Sequence, residues 1–294
     1  MSAARIWFMA ARPRTLPAAI GPVLVGTAAA IYAVGDLRVG PFIAALVGSI
    51  FIQIGTNLAN DYSDARRGAD TADRLGPVRV TSAGLVTPRR VLNATWIAFG
   101  VAIVCGIYLA AVAGIVILLI GAASIAAGVL YTGGPRPYGY AGLGEIFVFL
   151  FFGLVAVNGS YYVQLEQLDA LPLGLSIAVG FIATAILVVN NVRDLETDRR
   201  AGKRTLAVRL GRERARALFV GMVVLAFVTA PLPWILGSLS PWLFLSWLAV
   251  PLAVPVIGVV WTRTDGPSLN GALAATGRLQ LVFCVLLAAG LLAS

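Results

Sequence analysis

Nine stretches of mainly apolar residues divide this chain of 294 residues, at about 16–34, 40–59, 91–111, 113–132, 142–163, 171–191, 215–236, 241–260 and 271–292. A helix that crosses the hydrocarbon core of a bilayer needs about 20 such residues. Lipid offers the backbone no hydrogen-bond partners, so a spanning segment must be a helix or part of a closed barrel. The runs are continuous rather than alternating, which argues for helices. The expected fold class is all-α, a polytopic membrane protein of about nine transmembrane helices forming one domain over 1–294. Composition agrees: 59% of residues are hydrophobic and 12% charged, and mean hydropathy is +0.90. A soluble domain carries roughly twice that charge. A disordered chain, a secreted disulfide scaffold and an ordinary cytosolic enzyme are excluded. The first stretch resembles a signal peptide, but as the first of nine spans it is expected to be retained.

Lys and Arg number 22 against 13 acids, a net charge of +9. Cations accumulate in cytoplasmic loops. With the N-terminus inside, Arg5, Arg12, Arg14, the arginines of about 60–90, Arg136, the cations of about 192–214, Arg216 and Arg263 all fall on the cytoplasmic side. Only Arg38 falls outside, and Arg278 sits within the ninth span. The cytoplasmic loops are then about 60–90, 133–141 and 192–214, the C-terminus is outside, and the location is the cell membrane. The basic balance is a topology signal, and no nucleic-acid partner is expected. Alanine, glycine and arginine dominate while Lys203 is the only lysine, which suggests a high-GC bacterial genome.

Histidine is absent, which removes every mechanism that needs an imidazole. Cys105 and Cys284 lie within spans and read as small packing residues. No dinucleotide fingerprint, P-loop or nucleophile elbow is present.

The acids separate into two groups. Asp36, Glu166, Asp169, Glu213 and Asp265 fall in short loops and read as solvated charge. The others cluster at the cytoplasmic ends of spans two and six. Asn57, Asn60, Asp61 and Asp64 close the first, where 57, 61 and 64 share one helical face. Asn190, Asn191, Asp194 and Asp198 close the second, where 190, 194 and 198 share a face. The motifs stand four spans apart, the sign of a weak four-helix internal repeat, and repeats of this kind place a site at their interface. Acids at a helix C-terminus oppose the macrodipole, and like charges at i, i+4 destabilise a helix. Using both devices twice makes sense if a cation offsets them.

Hard oxygen donors without imidazole or thiolate suit Mg²⁺. Two acidic faces can hold two Mg²⁺ ions with a diphosphate between them, the metal ligands being Asp61, Asp64, Asp194, Asp198 and Asn57. The adjoining loops carry Arg66, Arg67, Arg74 and Arg79, and Arg199, Arg200, Lys203 and Arg204. Guanidinium forks match phosphate oxygens, although the positive-inside bias explains most of these cations. A diphosphate beside oily helices suggests an isoprenoid substrate, its head in the polar mouth and its tail among the helices and membrane lipid.

At this point the residues resemble those of the UbiA superfamily of intramembrane prenyltransferases. The likeness covers nearly the whole chain. It includes Arg12-Pro-Arg-Thr-Leu-Pro17, the run from Asn60 to Asp70 with Arg74-Leu-Gly-Pro77, the run from Tyr131 to Glu145, Asn191-Val-Arg-Asp194 with Asp198, and Gly202 to Gly211. One departure stands out. The superfamily pattern Asn-Asp-x-x-Asp-x-x-x-Asp has an acid where this chain has Gly68, and the next acid is Asp70. Within the superfamily the chain is most similar to the branch that prenylates 1,4-dihydroxy-2-naphthoate.

The resemblance implies transfer of a polyprenyl group from polyprenyl diphosphate to that acceptor, with loss of CO₂ and diphosphate. It singles out Arg79, Lys203 and Arg204 as diphosphate ligands, alongside Asn57, Asn60, Asn190 and Asn191. The allylic cation needs shielding, for which Tyr131, Tyr138 and Tyr140 are candidates. The phenylalanines of span five (Phe147, Phe149, Phe151, Phe152) are candidates for the same shielding wall, although most of them read as lipid or core packing. Departing CO₂ makes a base for a ring proton unnecessary; a phenol proton would go to Glu145 or a motif aspartate. Arg278 is read as pairing with an acid or with the acceptor carboxylate. Two alternatives remain: the same chemistry on 4-hydroxybenzoate or homogentisate, and a secondary transporter, whose acids should lie nearer the bilayer centre.

Overall fold

The computed structural model describes residues 1–69, 74–235 and 241–294, so Asp70 lies outside the described residues. Among the described residues thirteen α-helices run in chain order: α1 (Ala3–Ala11), α2 (Pro17–Val34), α3 (Val39–Arg66), α4 (Pro88–Ala113), α5 (Val116–Leu130), α6 (Gly144–Val148), α7 (Ala156–Leu165), α8 (Ala170–Arg200), α9 (Leu206–Leu210), α10 (Arg212–Thr229), α11 (Leu232–Ile235), α12 (Val250–Thr262) and α13 (Gly266–Leu292). A π-helical stretch, Phe149–Val155, joins α6 to α7, and a 3₁₀ stretch, Pro241–Ala249, leads into α12. Among the described residues eight helical segments are long and apolar enough to cross a membrane, and α5 adds a shorter ninth. The chain is a multi-pass membrane protein with an all-α fold, as its apolar runs predict.

Two spans run longer than their apolar stretches. α3 continues to Arg66 and α8 to Arg200, so both acidic motifs lie within continuous helix rather than at its edge. α5 is shorter than expected because Gly114, at φ 89°, ends α4 and delays the next helix to Val116. Several acids read as solvated loop charge have structural work. Asp169 and Asp265 cap the starts of α8 and α13 by accepting the amides of Leu171 and Ser268. Glu166 pairs with Arg38 at 3.2 Å.

α8 is the central helix. Val179, Ile182, Val189 and Val192 are fully shielded and join residues of α2, α10, α12 and α13 in the main apolar cluster. Gly153 sits in the π-helical stretch because the helices touch there. A Cβ on it would stand 2.5 Å from the Gly180 Cα. On the other side of the molecule α2, α3, α4, α5 and α7 pack in a ring that, with α8, lines a cavity.

Candidate active site

One cavity of about 360 Å³ runs along the helix bundle. α3 supplies one wall through Ala44, Gly48, Ile52, Thr56, Asn60 and Asp64. These residues recur every fourth position and so form one stripe, about 30 Å long at 1.5 Å per residue. The stripe changes character along its length: small and apolar at Ala44, acidic at Asp64. The opposite wall repeats the gradient. Ile186 and Leu187 of α8 give way to Asn190, Asn191, Asp194 and Asp198. Both sequence motifs therefore face one cavity, and its polar end is where they meet.

The carboxylates at that end are individually held. Asp64 is nearly inaccessible; its Oδ2 accepts from Arg79 Nη2 at 2.9 Å and its Oδ1 from the Tyr140 hydroxyl at 2.6 Å. Asp194 is clamped by its neighbour Arg193, with Nε to Oδ1 at 2.8 Å and Nη2 to Oδ2 at 2.6 Å. Arg193, 1% exposed, also donates to Asn190 Oδ1 and to Asn270 Oδ1 of α13. Asp198 faces Lys203 Nζ at 3.6 Å, and that ammonium lies 4.7 Å from the centre of the Tyr140 ring. The Asn60 amide oxygen accepts from the Thr132 hydroxyl at 2.8 Å.

Asp61 requires a correction. It is 2% exposed and does not line the cavity. Its two oxygens accept the backbone amides of Val80 and Thr81, each at 3.0 Å. The returning loop, whose amides donate to both of its oxygens, covers it on that side. Asp61 binds the loop that delivers Arg79 to Asp64. Further along this loop Val80 and Val86 pack with Ala10, Leu58 and Val91. Its near end is tied to the other motif, where Asn270 Nδ2 donates to the Leu75 carbonyl at 2.7 Å. Gly76 is needed beside it, since a Cβ there would stand 2.8 Å from Arg193 Nη2 and 3.0 Å from Arg74 Nη2.

Other expectations are redistributed. Asn57 lines the cavity, but its amide nitrogen donates to the Ala11 carbonyl and the Thr15 hydroxyl, holding the turn before α2. The Arg204 side chain is exposed and off the cavity wall; its backbone amide donates to the Tyr140 carbonyl at 2.9 Å. Glu145 is buried behind the wall and accepts from Asn191 Nδ2 at 2.9 Å. Arg278 is exposed and contributes nothing to the cavity. Phe147, Phe151 and Phe152 do line it, contrary to their reading as packing, whereas Phe149 turns to Phe181. Phe147 continues a ladder of rings: Tyr131 against Tyr138 at 5.4 Å, Tyr138 stacked on Phe147 at 3.9 Å, Phe147 above Phe151 at 6.1 Å. Burial pushes the phenol of Tyr131 well above its ordinary value, reinforced by the nearby Glu145 carboxylate, and burial likewise raises that of Tyr138. Both stay protonated, and the Tyr138 hydroxyl donates to the Ala127 carbonyl.

Sequence reasoning named Arg74 among the loop cations without singling it out, and passed over Arg12 and Thr132, which also line the cavity, Arg193, which fixes Asp194, and Asn270, which holds Arg193. Arg12 and Arg74 stood in the segments that carried the family likeness. Asn270 gives no signal in the sequence, because its partner lies 77 residues away.

The donors at the polar end are carboxylate, amide and hydroxyl oxygens, with the cations Arg74, Arg79 and Lys203 beside them. No group of three His, Cys, Asp or Glu side chains stands close enough to cage a metal among the described residues. An ion held here by few carboxylates would take its other ligands from water and an anionic ligand, as Mg²⁺ does with phosphates.

Comparison with known proteins points in one direction. The profile of the UbiA prenyltransferase family matches residues 19–282. A 1,4-dihydroxy-2-naphthoate octaprenyltransferase of Mycobacterium tuberculosis is 42% identical over 97% of this chain and 96% of its own length. The protein of the same description from Escherichia coli is 38% identical over 100% and 97%. Among solved structures, a UbiA homolog from Archaeoglobus fulgidus bound to GPP and Mg²⁺ superposes with a TM-score of 0.66, at 15% identity, over 98% of this chain and 100% of that one.

Proposed function

The chain belongs to the UbiA prenyltransferase family, and on that premise we propose that it transfers a polyprenyl group from polyprenyl diphosphate to 1,4-dihydroxy-2-naphthoate. CO₂ and diphosphate leave, and the product is demethylmenaquinol, on the route to menaquinone. The observation that carries the reading is the gradient along the cavity. An end built of paired acids and bases opens into a corridor of small apolar residues, and the two together run about the thickness of a membrane core. A molecule with a polyanionic head and a long hydrocarbon tail fits that gradient.

Arg74, Arg79 and Lys203 bind the phosphate oxygens, the arginines as forks and the lysine as a point charge. Asp64, Asp194 and Asp198, with the amide oxygens of Asn60, Asn190 and Asn191, are the residues that would hold Mg²⁺, two acidic helix faces offering room for two ions. Bound there, Mg²⁺ would offset the negative charge that grows on the departing diphosphate. Arg193 and Tyr140 fix the orientation of Asp194 and Asp64 before substrate arrives, so little reorganisation accompanies the reaction. The allylic C–O bond breaks with its electron pair going to diphosphate. Tyr131, Tyr138 and Phe147 line the cavity, where their aromatic rings flank the developing cation and exclude water. The electron-rich naphthoate ring forms the new C–C bond at its carboxylated carbon, and loss of CO₂ returns the electron pair to the ring.

The positive-inside distribution supports a protein of the cell membrane with its N-terminus and polar mouth in the cytoplasm. The reading is tested by incubating the purified protein with Mg²⁺, a polyprenyl diphosphate and a panel of aromatic acids. Dihydroxynaphthoate should be the acceptor consumed, its product identified by mass. Preferential consumption of 4-hydroxybenzoate or homogentisate would move the chain to another branch of the family.

A further inference from the structure

Arg12 is one of two non-glycine residues with positive φ among the described residues, at φ 53° and ψ 66°. That left-handed conformation favours glycine, so a long charged side chain there is held against backbone preference. What holds it is visible. The turn on which Arg12 sits, between α1 and α2, is fastened to α3 by three side-chain bonds. Asn57 Nδ2 donates to the Ala11 carbonyl at 3.0 Å and to Thr15 Oγ1 at 3.1 Å, and Gln53 Nε2 donates to Thr15 Oγ1 at 3.2 Å. Arg12, Thr15, Gln53 and Asn57 all line the cavity.

The anchoring points set the depth. Asn57 and Gln53 stand seven and eleven residues before Asp64 on the same helix, about 10 and 16 Å along its axis towards the apolar corridor. Arg79 stands on Asp64, Lys203 on Asp198 and Arg74 beside Arg193. The turn that carries Arg12 is fastened to α3 at that depth, the level where a prenyl diphosphate seated at Asp64 places its first isoprene carbons. That is also where the acceptor ring must lie to attack.

Building on the proposed function, we propose that Arg12 binds the carboxylate of the aromatic acceptor and is the residue that selects acceptors bearing one. A planar guanidinium fork matches a planar carboxylate through two parallel N–H···O bonds. Beside an apolar corridor that carboxylate needs a cation at its binding site. The bond orients the ring with its carboxylated carbon towards the allylic carbon. Arg12 takes part in binding and orientation, and no covalent bond or proton transfer is assigned to it.

The test compares wild type, Arg12→Met, Arg12→Lys and Arg12→Gln, each purified from membranes and checked for an unchanged thermal midpoint. KM is measured separately for dihydroxynaphthoate and for the prenyl diphosphate. The inhibition constant of 1,4-dihydroxynaphthalene, which lacks the carboxylate, is measured as well. We expect Arg12→Met to raise KM for dihydroxynaphthoate about 10- to 100-fold, the usual effect of losing a charge-assisted pair. KM for prenyl diphosphate and the inhibition constant of the diol should stay within about twofold. Arg12→Lys should fall between Met and wild type, and Lys and Gln carry the test if Met does not insert. A rise in KM for prenyl diphosphate with that for the acceptor unchanged assigns Arg12 to the diphosphate and overturns the proposal. So does no change in either, or an equal loss of affinity for the diol. If wild type itself does not turn over dihydroxynaphthoate, it is the underlying reaction that fails, an outcome distinct from these.

Discussion

Arg79 and Asp64 meet at 2.9 Å, fifteen residues apart in the chain, with side chains only 9% and 2% exposed. The pair exists because another acid of the same motif is used differently. Asp61 holds the backbone of the loop at Val80 and Thr81, which places Arg79 one residue earlier over the cavity. Two aspartates three residues apart thus divide the work of fastening the loop and facing the substrate.

That division is testable with Mg²⁺. Asp64→Asn should lower prenyl transfer at least about 100-fold, as removal of a charged group from a preorganised polar site does, and should raise the Mg²⁺ concentration needed for half-maximal rate. Asp61→Asn should leave the Mg²⁺ requirement of the remaining activity within about twofold, but weaken prenyl diphosphate binding and speed proteolysis in the 74–86 loop. A shift in Mg²⁺ requirement as large for Asp61→Asn as for Asp64→Asn would make Asp61 a metal ligand after all.

Arg193 should be a point of failure. It bonds Asp194, Asn190 and Asn270 from a fully buried position. Arg193→Met leaves Asp194 without its clamp, and breaking a buried pair costs about 3–5 kcal/mol. Denaturant unfolding of the purified protein should show a loss of that size, larger than for Arg199→Met, whose partner Glu196 is half exposed.

The apolar corridor makes a length prediction. Gly121 and Gly159 line the cavity, and a Cβ on either meets nothing within 4 Å. Gly159→Phe should therefore fold, fill part of the corridor and raise KM for a long polyprenyl diphosphate about 10-fold or more, while a two-unit prenyl diphosphate is used as before. Gly153→Ala behaves differently, because Gly180 stands 2.5 Å from its Cβ position. It should destabilise the protein by about 1–3 kcal/mol regardless of substrate.

Much of this was legible in the sequence, and the boundary has physical causes. The spans follow from hydrophobicity alone, because lipid leaves the backbone no alternative. The two acidic motifs announce themselves through helical spacing, and Asn60, Asp64, Asp194 and Asp198 all reach the cavity. Spacing could not separate Asp61 from Asp64, since the difference lies in a loop that returns from fifteen to twenty residues further along the chain. The extension of α3 to Arg66 and α8 to Arg200 was hidden because hydropathy marks the edge of lipid, not the end of a helix. Nothing in a run of phenylalanines tells which ones face a void, so the sequence does not separate Phe147 and Phe151 from Phe149. Arg12 carries its information in a backbone dihedral and in Asn57 and Thr15, none of which a linear pattern displays.

The most direct test of the account is the stoichiometry of one reaction. Wild-type protein is incubated with Mg²⁺, a polyprenyl diphosphate and dihydroxynaphthoate labelled in its carboxyl group, and released CO₂ is counted against prenylated product. The account predicts one CO₂ for each prenyl group transferred, with no label in the product. Prenylated product that retains the labelled carboxylate, or no transfer to this acceptor at all, would contradict it.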